Sequence, residues 1–433
     1  MAGNKERTSR KHIGFLSILT LIHPTAAKIP RNPQQRHKQH LLINIFNRSF
    51  SRVRLNRKEL FHLDTSNSGY QLLELIALSG EFSPDLVVRL GIGPSYSEKL
   101  ITRLKEQRYI KTHYKDRLRG YRLTSRGKKL LLTSNPHRFL FYLTGSSETN
   151  QPRSSLPRRQ RLQYASHVYV MLRNAEITFF RDQKPLLFGE SADYAAEIPM
   201  PVFYHSREIK ELGAQTIQIN NSRAIGILLS SDCIYAIFYT GDGLMKWEYR
   251  TELKLKALLS YHISQGVLSK GRINHGYSPD TPIKALIIGS HMDTSLKLLT
   301  STGGLRKSYF YLDTSFNCFH YLPDNREGEV LLKLLCKPRI NAALRQLLLS
   351  DLQPPNPEMG LEHDAVSKGR PVLLAYTFDM QRISHFRTAL SLRQSFGSLI
   401  CFDFQRSVLQ QYFGELASIT TIDLEKLERR FML

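Results

Sequence analysis

The stretch SPDLVVRLGIGPSYSEKLITRL, from Ser83 to Leu104, spells two short helices joined by a glycine turn. Ser83 is a good N-cap, and Pro84 fits the first helical position because its ring fixes φ and its missing N–H would have gone unbonded anyway. A helix starting there would bury Leu86, Val87 and Leu90 and stop at Gly91. After the turn Gly91-Ile92-Gly93, Pro94-Ser95 opens a second helix running to about Arg108, with Leu100, Ile101 and Leu104 facing inward. Its outer face carries Ser95, Tyr96, Ser97, Lys99 and Arg103, short polar and cationic side chains on one side of a helix.

Upstream, Leu72, Leu73, Leu75, Ile76 and Leu78 recur at helical spacing before Gly80. Downstream come a short strand (Tyr109 to Tyr114), a basic tip (Lys115 to Gly120), a return strand (Tyr121 to Leu123) and a capped helix from Thr124 through Leu132. Three helices, a two-stranded ribbon and a closing helix are the order of a winged helix-turn-helix, expected over residues 66–140. A duplex major groove accepts one helix, so double-stranded DNA is the expected partner of the outer face. Lys115, Arg117, Arg119 and Arg122 in the ribbon suit the flanking phosphates.

The charge balance agrees. Sixty-one Lys and Arg against 37 Asp and Glu give a formal net charge of +24, which favours a polyanionic partner. Residues 1–65 read as a basic flexible arm: the first 60 hold 13 Lys and Arg against Glu6 and Glu59. Within them, residues 13–22 (IGFLSILTLI) precede Pro24-Thr-Ala-Ala27 with the layout of a secretory signal. A run of ten apolar residues is too short to span a bilayer as a helix, so no membrane insertion is expected. The arm reading stands beside a signal-like segment and a start codon placed too early. Cys233, Cys318, Cys336 and Cys401 are far apart with no Cys-x-x-Cys pair, as expected of free thiols in the cytoplasm.

Residues 141–161, polar, Pro-containing and basic, read as a linker. A larger α/β domain is expected over 162–352, a loop over 353–369, and over 370–433 either a βαβα unit or a continuation of that domain. Strand-like runs occur at Ala224–Leu229, Cys233–Tyr239, Ile283–Ile288, Tyr309–Leu312, Val372–Tyr376 and Leu399–Phe402. Helical patterns lie between them at Leu253–Ile263, Thr294–Leu299, Val330–Leu349, Met380–Leu392 and Ser407–Leu416. Alternation of this kind predicts a mixed or partly parallel sheet. The fold class is therefore α/β, or α+β with the N-terminal module included.

The order of winged helix, basic linker, an opening helix with Arg-x-x-x-x-x-His (Arg161 to His167), and the strand pair ending in Trp247 resembles the replication-relaxation proteins of plasmids and integrative conjugative elements. The likeness covers about residues 68–300. It implies a second domain similar to a degenerate restriction-endonuclease-like fold, in which a strand carboxylate and an acid-x-lysine pair hold a divalent metal. The sequence departs from that pattern, since Arg223 is followed by Ala224, Ile225 and Gly226 rather than aspartate. Glu252-Leu-Lys254 has the acid-x-lysine spelling and supplies the catalytic candidates, yet Leu253, Leu255, Leu258 and Leu259 predict a helix with Glu252 and Lys254 on its surface. No His-x-His occurs, and His37 and His40 read as part of a solvated tract. Asp313, Asp379 and Asp403 each follow a strand-like run and would share a cleft if the strands align.

The leading expectation is a DNA-binding protein in the replication or mobilisation of a mobile element, without a cofactor and compatible with a homodimer. The alternatives are a DNA-nicking enzyme using Mg²⁺ or Mn²⁺, and a winged-helix transcriptional regulator whose α/β domain senses a ligand or dimerises.

Overall fold

In the N-terminal module the first helix, α1 (Ser68–Ser79), begins where the Asn67 carboxamide accepts a hydrogen bond from the Gly69 N–H (2.9 Å) and ends at Gly80, whose φ of 82° few other residues tolerate. The computed structural model describes residues 67–184, 200–210, 222–264, 277–304 and 308–431. The expected arm, residues 1–65, with its signal-like run and His37 and His40, lies outside them. Pro84–Leu90 form a 3-10 helix rather than an α-helix. Seven residues that begin with a proline and end before the left-handed Gly91, with adjacent β-branched Val87 and Val88, leave little room for α-helical hydrogen bonds. Helix α2 (Pro94–Glu106) follows and buries Leu100, Ile101 and Leu104.

Strands β1 (Ile110–Lys115) and β2 (Leu118–Leu123) pair antiparallel from Ile110↔Leu123 to Lys115↔Leu118. The turn is therefore Asp116-Arg117, both with positive φ (53° and 58°), and not the six-residue tip around Gly120 that the sequence suggests. Helix α3 (Ser125–Ser134) is capped by Thr124, and α4 (Pro136–Leu143) by Asn135.

The expected linker is structured. Residues 141–143 complete α4, Ser147 and Thr149 donate their hydroxyls to the Tyr142 carbonyl (2.9 and 2.6 Å), and α5 (Leu156–Asn174) starts inside the proline-arginine stretch. Helix α5 is buried along most of its length because it packs against α1 and the 3-10 helix and also against the β-sheet beyond. No break between domains falls there, and the described residues belong to one compact unit spanning Leu63–Leu433.

Beyond α5 come β3 (Val202–His205), the short α6 (Ser206–Lys210), β4 (Gly226–Leu229), β5 (Ile234–Gly241), α7 (Tyr249–Ser264), β6 (Ile283–Gly289), α8 (Thr294–Leu299) and β7 (Phe319–Pro323). They build a five-stranded sheet in the order β3-β4-β5-β6-β7, antiparallel through β5 and parallel from β5 to β7. Tyr309–Leu312, expected as a strand, contributes only an isolated bridge from Tyr309 to Lys246. The single long helix expected over Val330–Leu349 is two, α9 (Arg326–Leu335) and α10 (Pro338–Leu349), because Pro338 cannot continue the first.

A second, four-stranded sheet contains β8 (Ala365–Ser367), inside the expected loop, and β9 (Arg370–Leu374). Helix α11 (Met380–Leu392), β10 (Gly397–Phe402), α12 (Arg406–Phe413), β11 (Ala417–Ile422) and α13 (Leu424–Phe431) complete the chain, with strand order β11-β10-β9-β8. β9, β10 and β11 are parallel, which helical βαβ crossovers allow. One apolar cluster, including Ile227, Phe238, Trp247, Leu259, Phe378, Phe386, Cys401 and Phe413, runs under both sheets, so residues 370–431 share the core of the residues before them. The described protein is mixed α/β. Among the described residues no helix is long and apolar enough to cross a membrane.

Candidate nucleic-acid interface

Helix α2 presents Ser95, Tyr96, Lys99 and Arg103 to solvent while its apolar side anchors it. Ser97, expected beside them, is turned in: it is 7% exposed and its hydroxyl donates to the Pro94 carbonyl (2.6 Å). In the ribbon, Lys115, Arg117 and Arg119 are exposed, but Arg122 is buried. Side chains alternate along a strand, so residues 119 and 122 must lie on opposite faces, whereas the sequence alone groups the ribbon's cations as one surface.

Some cations of the module are set over aromatic rings. Lys105 lies over the Tyr121 ring (5.4 Å) with Arg119 also on it (5.8 Å), and Arg126 lies over Tyr109 (5.4 Å). Burial and the nearby Arg119 guanidinium push the Lys105 ammonium down; burial and Lys111 do the same to Lys128. Residues 94–129 hold twelve Lys and Arg against three acids, and this crowding adds to burial in lowering those lysines.

Behind the ribbon sits Glu81, fully buried (0% exposed). It accepts hydrogen bonds from Arg122 Nε (2.7 Å), Arg159 Nη2 (2.7 Å) and Gln163 Nε2 (2.9 Å). Burial pushes its carboxyl up, but the bonds from Arg159, Arg122 and Gln163 outweigh this and hold it below the usual range. Arg159, reaching out of α5, also donates to the carbonyls of Lys115 (2.7 Å), Leu118 (2.9 Å) and His113 (3.1 Å), three backbone acceptors bracketing the turn. Gln163 adds a bond to the Arg119 carbonyl (2.8 Å). The ribbon is thus held from behind by α5, and this close approach requires Gly120: a Cβ there would lie 2.3 Å from Glu81 Oε1. No periodic signal marks Glu81, which is why sequence reasoning missed it.

A second joint fixes the module to the sheet. Asp324, just after β7, receives Arg89 of the 3-10 helix, His167 of α5 and the Tyr239 hydroxyl (2.8 Å) of β5. Burial raises the Asp324 carboxyl, but His167 and Arg89 overcome it and bring it down to about 2. Arg89 also pairs with Glu329, which accepts from Asn174 (2.9 Å). His167, the histidine of the Arg161 to His167 pattern, is therefore part of a docking joint.

The catalytic candidates separate. Glu252 and Lys254 lie on α7, but Glu252 is 0% exposed while Lys254 is exposed. Glu252 is thus not the surface residue expected. It accepts from the Ser222 hydroxyl (2.8 Å) and the Arg223 N–H (3.1 Å), and burial outweighs these to push it up to about 7. The three strand-end aspartates have separate partners: Asp313 accepts from Trp247 Nε1 (2.7 Å), Asp379 caps α11, and Asp403 is exposed beside α12. Among the described residues no group of three or more His, Cys, Asp or Glu could hold a metal. The four cysteines are free, and burial raises Cys233 to about 11 and Cys401 to about 12.

A cleft of about 340 Å³ opens between α1 and the end of α5, lined by Gln71, Glu74, Arg173, Phe179 and Phe180 among others. Arg138 pairs with Glu74 (2.6 Å) and Asp182 (2.8 Å) at its side. No protein-family model matches the chain, and no curated protein or solved structure is significantly similar to it.

Proposed function

We propose that the chain binds double-stranded DNA through residues 68–134, acting as a winged helix-turn-helix with α2 in the major groove and the β1–β2 ribbon on flanking phosphates. One observation carries this reading: Ser95, Tyr96, Lys99, Arg103, Lys115, Arg117 and Arg119 are all exposed on a module whose opposite side packs against α5. Phosphate contacts make such binding salt-dependent, with a log–log slope of about −0.9 per contact. Titrating the full chain against duplex DNA over a range of salt tests it. A steep slope that flattens when Arg117 and Arg119 become alanine is the expected result; a flat slope in the parent protein removes the reading.

The resemblance in layout to replication-relaxation proteins favours a role in replication or mobilisation of a plasmid or conjugative element. Selecting bound fragments from total DNA tests this, since sites beside an origin or transfer region fit it and promoter sites do not. A nicking activity finds less support, because Glu252 is buried while Lys254 is exposed on α7. The regulator reading has one specific observation in its favour. The cleft lined by Glu74 and Arg173 touches α1 of the module, so a small molecule held there would bear directly on the DNA-binding part.

A further inference from the structure

The ribbon carries a largely exposed aromatic ring. Tyr114 is 68% exposed, and Tyr96, at the start of α2, is 52% exposed. Of the three tyrosines more than half exposed among the described residues, these two fall within the cationic stretch. Strand register places Tyr114 opposite Arg119, with Thr112 opposite Tyr121 on the same face. Tyr121 is covered by Lys105 and Arg119, so along that face cations and rings alternate: Lys105, Tyr121, Arg119, then Tyr114. The inner ring is buried at 5% exposed and the outer one is bare. Lys115 and Arg117 flank Tyr114 at the turn, and Arg159 fixes the strand beneath it through the His113 and Lys115 carbonyls.

Cations that track a backbone together with a rigidly presented ring are the two components of single-strand recognition, because any unpaired base has a π-face to stack. We propose that the ribbon engages a junction between duplex and single-stranded DNA, with Tyr114 stacking on the first unpaired base while α2 holds the adjoining duplex. This rests on the duplex-binding reading above and sharpens its substrate to an opened or forked DNA.

The test compares two DNA probes with the same paired segment, one blunt and one forked, the fork carrying 2-aminopurine at its first unpaired position. With the full chain at fixed salt, the fork should bind about fivefold tighter or more, and 2-aminopurine fluorescence should be quenched. Tyr114→Ala should bring fork affinity to within about twofold of blunt affinity and remove the quench, leaving blunt affinity unchanged. Tyr114→Phe should keep both effects, since the ring suffices. Equal binding of fork and blunt duplex by the parent chain overturns the proposal while leaving duplex recognition standing. So does an equal loss on both probes in Tyr114→Ala, which would make Tyr114 an ordinary duplex contact. Failure to bind either probe overturns both readings together. An unchanged thermal unfolding midpoint in Tyr114→Ala, expected for so exposed a side chain, excludes misfolding as the cause.

Discussion

Glu81 behind the ribbon and Glu252 on α7 are both fully buried carboxylates, and their surroundings drive them in opposite directions. Glu81 meets two guanidiniums and an amide; Glu252 meets one hydroxyl and one backbone N–H. Burial opposes ionisation at both sites, so the charge of the partners decides. The same division sorts the cations of the module. Arg122 and Arg159 neutralise an internal anion and set the ribbon in place, whereas Lys99, Arg103, Lys115, Arg117 and Arg119 remain exposed to solvent.

The largest effect is expected where that internal charge balance is broken. Glu81→Gln leaves Arg122 and Arg159 buried without an anion, which typically costs about 3–5 kcal/mol. Urea unfolding of the variant should show it, and a midpoint near that of the parent would mean the two arginines are balanced by the carbonyls alone. Lowering pH acts on the same group. Its folded carboxyl lies below the unfolded value of 4.5, so its stabilisation is complete above that pH and is lost as pH falls through the folded value.

Glu252 gives the opposite sign in a different window. Its carboxyl rises from 4.5 to about 7 on folding, so the protonated form is the favoured one, and stability falls as pH climbs between those values. A shift of that size amounts to about 3 kcal/mol. Relative to the parent, Glu252→Gln should gain about that much as pH is raised from roughly 4.5 to 8, measured by urea unfolding across the range. Parallel curves for the two proteins would show that Glu252 stays ionised when folded.

Gly120→Ala tests the geometry rather than the charge. A methyl group 2.3 Å from Glu81 Oε1 must displace either the carboxylate or β2, and overpacking of this kind costs about 1–3 kcal/mol. By contrast, Arg117→Ala with Arg119→Ala removes only exposed cations. Stability should hold to within about 0.5 kcal/mol, while the salt slope of DNA binding flattens by about 0.9 for each phosphate that is no longer neutralised. A stability loss as large as that of Gly120→Ala would place these two residues in the ribbon's support.

Local patterns in the chain were enough to locate α1, α2, both ribbon strands and most strands of the sheets, because caps, glycines and apolar spacing act over a few residues. They failed where partners are distant in sequence. Arg159 sits in a stretch of prolines, arginines and serines that reads as solvated linker, and only the carboxylate 78 positions earlier makes its burial favourable. Arg122 looks equivalent to Arg119 until strand alternation, counted from the true turn, puts them on opposite faces. β7 was missed because Phe319-His-Tyr-Leu-Pro323 carries polar atoms that long-range contacts satisfy, His320 through the Thr377 carbonyl and Tyr321 through that of His291. Of the polar and cationic residues that the sequence groups on this face, Ser97 and Arg122 are the two that packing buries.

A single change at position 117 is the most informative about why the turn is built as it is. A two-residue turn with both φ values positive favours Asn-Gly, yet the chain places Asp116 and Arg117 there. Aspartate tolerates the left-handed region, but arginine in it costs about 1–2 kcal/mol. Arg117→Gly relieves that strain and gives part of the gain back as freedom of the unfolded chain, leaving a net gain of roughly 0.5–1 kcal/mol. If the strain is retained because a cation is needed at the extreme tip of the ribbon, the same variant should lose about 0.9 from the salt slope. A gain in stability with weaker, less salt-dependent binding would show function maintained against folding at this position. A gain with unchanged binding would leave Arg117 without a reason to be there, and would confine the ribbon's phosphate contacts to Lys115 and Arg119.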